Sequence, residues 1–362
     1  MVTIKDVAEK AGVSISTVSN ALTGKRVVSE PLKARVFDAV KELRYVPDAV
    51  ASNMKRGYTK TIGVIIADIT GLFYPYILKG IYEVTDKSGY SITVYDTHTN
   101  SGESPLTKEK ACLEHLVSNR VDGILLVSSV SKQGKRKYLN KIQNDVNVFK
   151  RTPIVSMERD FSVFGIDSVY YDNEKAAHTA VNHLIDCGCT NIVHIAGPRK
   201  EELVEGRKRA YIDAMRKHYL TVDEKTMIEY GDYTDESGYC AVCRFIENNQ
   251  KFDGIFSAND QMGIGALQAL KEKSIEVPGK VKLIGMGDVF ANELVEPNMS
   301  SMHIMKRRLG KRAAAVLLKR IDEISKFGEP KGPVVREEMP VDLVVRESTD
   351  PKAIKQRHFT NW

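Results

Sequence analysis

Residues 3–22 read Thr3-Ile4-Lys5-Asp6-Val7-Ala8-Glu9-Lys10-Ala11-Gly12-Val13-Ser14-Ile15-Ser16-Thr17-Val18-Ser19-Asn20-Ala21-Leu22. Thr3 and Asp6 have the spacing of a helix-capping box, and Gly12 would end that first helix. Ser14 can cap a second helix, which Gly24 would stop. The apolar residues fall on the inner faces of the helices: Val7, Ala8 and Ala11, then Val18, Ala21 and Leu22. The spacing predicts two short helices joined by a tight turn.

The first sixty residues carry most of the net positive charge. They hold 11 Lys and Arg against 6 Asp and Glu, a net of +5, which leaves 42 against 41, a net of +1, for the rest of the chain. A third helix is predicted from Ser29-Glu30-Pro31. A basic helical segment suits a polyanion, because neutralising phosphates releases counterions, although charge runs are also usual on solvated faces.

From Thr61 onward the pattern changes to alternating strands and helices, which is typical of parallel sheets. Strands are predicted at residues 61–68, 90–95, 122–127, 153–157, 191–196, 227–230, 254–257 and 282–285. Because these are too many strands for one small sheet, the pattern indicates two doubly wound lobes with a cleft at the carboxyl ends of the strands. The predicted fold class is α/β, with a small all-α headpiece before the two lobes.

Composition narrows the class of protein further. With 362 residues, of which 42% are hydrophobic, the chain is expected to form a globular protein of more than one domain. Its apolar runs are far shorter than the roughly 20 residues that cross a bilayer. The first ten residues mix charges into the place of a secretory signal, so we expect a cytoplasmic protein without a membrane partner.

Catalytic and metal-binding signals are weak. The five cysteines favour reduced thiols, and zinc ligation by Cys187, Cys189, Cys240 and Cys243 is the alternative. The chain has no Gly-x-x-x-x-Gly-Lys phosphate loop and no Gly-x-Ser-x-Gly elbow, and its histidines lack a metalloprotease spacing. The sequence therefore predicts no enzyme, no metal and no cofactor.

The headpiece sequence resembles the helix-turn-helix of the lac repressor family of bacterial regulators. The match continues through Val28-Ser29 and through residues 45–54, which resemble the hinge of that family. The resemblance implies a DNA-binding domain at 1–46, a hinge helix and linker at 47–60, an effector-binding and dimerisation domain at 61–347, and a polar, poorly packed tail at 348–362. It also implies a repressor that binds a pseudo-palindromic DNA operator.

A two-helix unit of this length can lay its second helix into the major groove. Ile15 and Ser16 would then face bases, and Thr17 and Ser19 would contact phosphates. Asn20 stands where family members often place a larger base-reading residue. The predicted DNA-contacting residues of the headpiece are Thr3, Ser14, Ile15, Ser16, Thr17, Ser19 and Asn20. The alternative is that Ser16, Thr17 and Ser19 only cap and solvate the helix.

The resemblance also assigns roles in the hinge. Met54 occupies the position of the leucine that wedges into the central minor-groove step, and unstacking that step costs a few kcal/mol. Ala51 and Lys55 complete the predicted DNA-binding residues, although a basic pair such as Lys55-Arg56 is also an ordinary linker feature. The tail lacks the leucine heptads of tetrameric relatives, so we expect a homodimer.

The remainder of the chain, to Val345, resembles the sensor domain of the same family, which is similar to periplasmic sugar-binding proteins. The resemblance implies that Phe73 and Tyr74 are walls of a ligand cleft and that Tyr233 is an aromatic platform. The polar contacts would come from Glu158, Arg207, Asn259 and Asp288. For each of these residues, packing between the lobes or a surface ion pair is the alternative.

One departure bears on the ligand. Where the family usually reads Gly-Phe-Asp-Asp, this chain has Gly285-Met286-Gly287-Asp288, so Gly287 replaces the first acidic anchor. A carbohydrate-like small-molecule effector is still expected, and a phosphorylated metabolite, a nucleobase or a protein co-regulator stays open. A solute receptor would need a signal peptide, and an architectural DNA-binding protein would leave the two lobes unexplained.

Overall fold

The structure is a computed structural model that describes residues 2–24, 26–45, 58–98, 104–130, 134–144, 152–199 and 201–353. The chain divides into two compact units, Met1–Thr59 and Lys60–Trp362. In the described ranges, no helix is both long and apolar enough to cross a membrane.

The first unit is a small helical domain. Its helices are α1 (Ile4–Ala11), α2 (Ile15–Thr23) and α3 (Glu30–Glu42). Gly12 and Gly24 end the first two helices in the left-handed conformation, at φ +63° and +65°, which glycine adopts without steric cost. The helices pack around a core of Val7, Ala8, Ala11, Val18, Ala21, Val36 and Ala39. The predicted helices and glycine stops are confirmed.

The second unit alternates strands and helices. The strands are β1 (Thr61–Ile66), β2 (Ser91–Asp96), β3 (Gly123–Leu126), β4 (Ile154–Glu158), β5 (Asp167–Tyr171), β6 (Ile192–Ala196), β7 (Ile228–Tyr230), β8 (Gly254–Ser257), β9 (Lys282–Gly287), β10 (Ser300–Ile304), β11 (Arg336–Met339) and β12 (Val341–Val344). The helices are α4 (Tyr74–Thr85), α5 (Pro105–Ser118), α6 (Lys135–Asn144), α7 (Asn173–Asp186), α8 (Glu202–Lys217), α9 (Asp235–Glu247), α10 (Asp260–Glu272) and α11 (Lys306–Phe327).

These strands form two six-stranded sheets, one in each lobe. The first has the order β11-β5-β4-β3-β1-β2 and is parallel throughout. The second has the order β12-β10-β9-β8-β6-β7, and only its edge strand β12 runs antiparallel. The chain passes between the lobes three times: after β5, after β10 and between β11 and β12. The predicted pair of doubly wound lobes is confirmed.

Four of the twelve described strands were not predicted from the sequence. Each of the eight predicted strands is present with small shifts at its ends, but β5, β10, β11 and β12 were missed. These four carry Ser, Asp, Glu or Arg in place of continuous apolar runs. In β10 the polar residues are buried because other parts of the fold satisfy them: the Ser301 hydroxyl donates to Asp260 at 2.6 Å. Hydrophobic periodicity cannot detect a strand whose buried positions are hydroxyls.

The tail begins later than predicted. Ser348 and Thr349 are buried, and the Ser348 hydroxyl donates to the Leu283 carbonyl at 2.6 Å and accepts from the Ser300 amide at 2.8 Å. The expectation of a poorly packed segment from residue 348 is therefore wrong for these two residues, which bond to β9 and β10, two inner strands of the second sheet. Residues 354–362 lie outside the described ranges.

Candidate functional site

The amino end of α2 presents a cluster of hydroxyl groups. The Ser14 hydroxyl accepts from the Thr17 amide at 3.1 Å and lies 2.7 Å from the Ser16 hydroxyl and 2.9 Å from that of Thr17. Ile15 is 43% exposed beside them. An exposed apolar side chain next to hydroxyls at a helix amino end can meet both base edges and phosphates.

The other predicted DNA contacts of the first unit are less exposed or already bonded. Thr3 donates its amide and its hydroxyl to the Asp6 carboxylate, at 2.7 and 2.9 Å. Its hydroxyl would have to leave Asp6 in order to donate to a phosphate. Ser19 and Asn20 are partly buried on α2. Ala51, Met54 and Lys55 lie outside the described residues.

A cavity of about 340 Å³ lies between the two lobes of the second unit. Its lining comes from the loops that follow the strands of both sheets, as expected for a doubly wound fold. Six of the seven residues predicted to bind the effector line this cavity: Phe73, Tyr74, Glu158, Arg207, Tyr233 and Asn259. Tertiary structure thus brings together residues up to about 190 positions apart in the chain.

Glu158 is the polar centre of the first-lobe wall. It is buried, and its two carboxylate oxygens accept from the hydroxyls of Tyr74 and Tyr171, each at 3.0 Å. Burial raises the pKa of this carboxyl, against the lowering effect of the two tyrosines. Its backbone has φ +67°, a conformation that costs a non-glycine residue about 1–3 kcal/mol and is concentrated at functional sites.

Arg207 lies on α8 of the second lobe and faces Glu158. Its guanidinium donates to the Asn173 side-chain oxygen at 3.1 and 2.7 Å and to the Ala258 carbonyl at 2.7 Å. Three of its five N–H groups are therefore fixed, and the other two can donate to a ligand. The side chain is 7% exposed, so a hydrogen bond from it would be made in a largely dry site.

Tyr233 closes the second-lobe wall. Its hydroxyl donates to Glu201 at 3.3 Å, and its backbone has φ +73°. A Cβ atom on Gly197 would lie 2.5 Å from the Tyr233 ring, so only glycine leaves room for this ring. Asn259 caps α10 by accepting from the Met262 amide at 3.0 Å and donates to the Tyr233 carbonyl at 2.9 Å. Asn259 thus positions Tyr233 as well as lining the cavity.

Asp288 does not line the cavity. Its carboxylate lies 2.8 Å from His303 Nδ1 and accepts from Arg346 at 2.7 Å, and these partners lower its pKa against the effect of burial. The structure therefore does not bring Asp288 to the cavity with the other six predicted residues, because the fold uses this carboxylate in an internal ion-pair network.

Gly287 and Asp260 shape the wall where an acidic anchor was expected. Gly287 has φ +122°, and a Cβ atom there would lie 3.3 Å from both Asp260 and the Phe73 ring. Asp260 accepts from the Val289 amide at 2.8 Å and the Ser301 hydroxyl at 2.6 Å. Burial, followed by repulsion from Asp288, raises its pKa to about 6. The wall thus keeps a carboxylate, supplied by α10.

Sequence reasoning also missed several lining residues. Tyr171 was hidden because its strand was not predicted. Glu201 and Glu202 line the cavity, and Glu202 joins the lobes by accepting from Arg159 and from Lys135, the latter at 3.4 Å. The adjacent acidic residues at the start of α8, opposite a basic residue after β4, were a signal that could have indicated a contact across the cleft.

Comparison with known proteins identifies the class. The model of the family described as "Periplasmic binding protein-like domain" matches residues 181–349. The model of the family described as "Bacterial regulatory proteins, lacI family" matches residues 3–48. The HTH-type transcriptional repressor PurR of Proteus mirabilis is 31% identical over 326 residues, covering 89% of this chain and 91% of that protein. PurR of Haemophilus influenzae is 32% identical over 323 residues, with 89% and 91% coverage.

Solved structures agree on the fold. The lac repressor dimer bound to operator and the anti-inducer ONPF has a TM-score of 0.79 at 23% identity, covering 96% of this chain and 99% of that one. The transcriptional regulator CelR–cellobiose complex has a TM-score of 0.66 at 27% identity, covering 96% and 100%. The helical headpiece and the two lobes define a DNA-binding transcriptional regulator. The chain belongs to the lacI family of bacterial regulatory proteins and is a transcriptional repressor, not an enzyme.

Proposed function

We propose that this repressor is a cytoplasmic homodimer whose affinity for a pseudo-palindromic operator is set by a carbohydrate-like small molecule in the cleft. The cavity between the lobes carries the proposal. Its volume of about 340 Å³ falls in the range of small-molecule sites, about 300–1,000 Å³. A monosaccharide or disaccharide is a ligand of suitable size.

The chemistry of the lining supports a polyhydroxylated ligand. Phe73 and Tyr74 pack edge to face, with ring centroids 5.3 Å apart, and offer an aromatic wall. Glu158 offers acceptors for hydroxyl groups, and Arg207 offers two donors. The CelR structure contains cellobiose, so a protein with this fold and 27% identity holds a disaccharide.

A phosphorylated metabolite suits the cleft less well. Six carboxylates line it against two guanidinium groups: Asp68, Glu158, Glu201, Glu202, Asp232 and Asp260 against Arg159 and Arg207. Arg159 is already engaged by Glu202. A phosphate would meet repulsion from most of the charged groups around it.

In the headpiece we propose that Ile15 and Ser16 contact base edges, with Asn20 adjusting operator preference. Thr3, Ser14, Thr17 and Ser19 would contact phosphates. In the hinge, Met54 would wedge into the central base step, flanked by Ala51 and Lys55. Two copies, one for each half-site, account for the symmetry expected of the operator.

Control would act by linkage between the two sites. A ligand that contacts both lobes changes the angle between them. The lobes can rotate about the three segments in which the chain passes from one lobe to the other. In a dimer, that change would alter the interface and hence the distance between the two hinge segments. Glu202 bridging to Arg159 and Lys135 would hold the closed arrangement.

The test combines thermal stability with operator binding. Purified protein is heated with a panel of sugars, sugar phosphates and nucleobases, and each compound that raises the melting temperature is added to the protein–operator complex. We expect a sugar to stabilise the protein and change operator affinity, and Arg207→Ala to abolish both effects. If no compound changes the melting temperature of protein that still binds operator, a protein co-regulator replaces the small molecule.

A second arm tests the wedge. Met54→Gly should weaken specific binding far more than non-specific binding, since the phosphate contacts remain. Equal losses on operator and random DNA would exclude a wedge at this residue.

A further inference from the structure

The six carboxylates of the cleft are not equally compensated. Glu202 is paired with Arg159 and Lys135. Asp68 and Asp232 lie in turns, where each accepts from the amide and hydroxyl of a nearby threonine, Thr70 and Thr234. Asp260 accepts from the Val289 amide and the Ser301 hydroxyl. These four carboxylates have structural partners that explain their presence.

Glu158 and Glu201 are different, because their hydrogen-bond donors are tyrosine hydroxyls of residues that themselves line the cavity. Glu158 accepts from Tyr74 and Tyr171, and Glu201 accepts from Tyr233. Arg207 and Arg159 attract both carboxylates electrostatically, and Glu158 repels Glu201. Because Arg159 is paired with Glu202, Arg207 is the remaining guanidinium for the two acids, and three of its N–H groups are bonded to Asn173 and Ala258. Burying a carboxylate without a matching cation is unfavourable, and burial accordingly raises the pKa of both carboxyls. A cationic group between them would favour their charged form.

The two acids also lie on opposite walls. Glu158 ends β4 of the first lobe, and Glu201 directly precedes α8 of the second lobe. Each carboxylate oxygen can accept two hydrogen bonds, so both acids keep acceptor capacity for a ligand. The hydroxyls of Tyr74, Tyr171 and Tyr233 donate to these acids, which places their rings around the same part of the cavity. Aromatic rings near buried carboxylates favour a cation.

We propose that the effector carries a protonated amine that binds between Glu158 and Glu201, so that the cleft selects an aminated, carbohydrate-like ligand over its neutral or anionic counterpart. This rests on the proposed function, in which the cleft binds the effector. An ammonium group supplies three donors and one positive charge and brings no acceptor that would need a protein donor. By contacting one acid in each lobe, it would favour the closed arrangement.

A metal ion is a poorer occupant. No group of three or more His, Cys, Asp or Glu side chains in the described parts of the chain is arranged to hold one. Divalent cations need several oxygen ligands at short distance, whereas an ammonium group is satisfied by two carboxylates and a tyrosine oxygen or ring.

The experiment compares matched ligands on the full-length protein by titration calorimetry. One set is D-glucose, D-glucosamine and D-glucose 6-phosphate, and a second set is cellobiose and the β-1,4-linked dimer of glucosamine. In at least one set, the aminated compound should bind about tenfold more tightly than its neutral parent, since one opposite charge at close range is worth at least that factor. The phosphorylated compound should bind most weakly.

Two variants locate the effect. Glu201→Gln keeps an acceptor for Tyr233 and removes one charge, so the affinity ratio of the aminated compound to its neutral parent should fall to about parity. Glu205→Gln is the control, because Glu205 lies on the same helix, outside the cavity lining, and pairs with Lys208 at 3.0 Å. It should leave the preference unchanged, and melting temperatures should show that both variants are folded.

The outcomes separate the two proposals. If a neutral sugar binds as tightly as its aminated form, or if Glu201→Gln leaves the preference intact, the amine site is refuted and the carbohydrate-like effector stands. If no compound of either set binds to protein that still binds operator, the amine inference and the effector proposal both fail.

Discussion

The amino end of α2 and the cleft between the lobes, the two proposed recognition sites, differ in exposure and in how far away in the chain their bonded partners lie. Ser14, Ile15 and Ser16 are exposed, and the hydroxyls of the two serines form hydrogen bonds within one helical turn. In the cleft, Glu158 and Arg207 are buried and already bonded to residues far away in the chain. The first surface can change residue by residue without loss of the fold, whereas the second is part of the stability of its domain. Variants in the two regions should therefore separate binding from stability.

The largest difference is expected at Arg207. Arg207→Ala removes three hydrogen bonds and one of the two guanidinium groups that attract Glu158 and Glu201, so we expect a loss of about 4 kcal/mol in the free energy of unfolding, together with loss of the effector response. Urea denaturation followed by circular dichroism measures the first effect. The control is Arg209→Ala, an exposed residue of the same helix paired with Glu174, which should cost less than about 1 kcal/mol. Equal losses in both variants would contradict a structural role for the cleft arginine.

The second difference concerns the loss of stability at low pH. His194 is fully buried, stacks on Phe256 with ring centroids 4.7 Å apart, and lies 2.9 Å from the Phe256 carbonyl through Nδ1. Burial lowers its pKa from 6.5 to about 4. Between these pH values the unfolded chain binds a proton that the folded chain does not, so stability falls as the pH decreases, by up to about 3 kcal/mol. All eight histidines lie at residue 98 or later, so the headpiece lacks this sensitivity.

His194→Gln tests this effect, because glutamine can still donate to the carbonyl and does not titrate. The difference in unfolding free energy between the variant and the parent should change between pH 7 and pH 4.5, in favour of the variant at the lower pH. A constant difference across that range would contradict the idea that His194 is protonated in the unfolded chain while it stays neutral in the folded chain.

The same contrast explains what the sequence could predict. The helices of the headpiece depend on capping residues and glycines within a few positions, so Thr3, Gly12, Ser14 and Gly24 were sufficient to define them. In the cleft, the aromatic pair Phe73-Tyr74 was predicted from the resemblance to the sensor domain of the family. The helices of the headpiece needed only local pattern, whereas the residues of the cleft needed the resemblance.

The errors occurred where a residue depended on distant partners. Asp288 was assigned to the ligand, but Arg346, 58 residues later, and His303 take its carboxylate. The carboxylate near Asp288 that does line the cavity is Asp260, which is held in place by hydrogen bonds from the Val289 amide and the Ser301 hydroxyl. Periodicity and motif spacing carry no information about which of two nearby acids an arginine will select, since that choice is made by tertiary packing.

In the headpiece, the largest effect should be on binding alone. Ile15→Ala should weaken operator binding by up to about tenfold if the side chain packs on a thymine methyl group. It should leave the unfolding free energy within about 0.5 kcal/mol, because Ile15 is 43% exposed. Phe37→Ala on α3 is the matched control, with 46% exposure, and should change neither quantity. Fluorescence anisotropy with labelled operator gives the affinity, and an unchanged affinity for Ile15→Ala would remove this residue from the interface.

The smallest effect tests whether the two roles can be separated within one turn of α2. Ser14→Ala removes the side chain that caps the helix at the Thr17 amide, and the loss of such a cap costs about 1 kcal/mol. Ser16→Ala removes a neighbouring hydroxyl that caps no backbone amide in the described contacts, so the helix should keep its stability while operator binding weakens. Thermal unfolding and anisotropy on both variants distinguish these effects. If Ser16→Ala destabilises the headpiece as much as Ser14→Ala while operator affinity follows stability in both, the hydroxyl cluster is structural, and the contrast between an exposed reading surface and a partnered cleft fails at its simplest point.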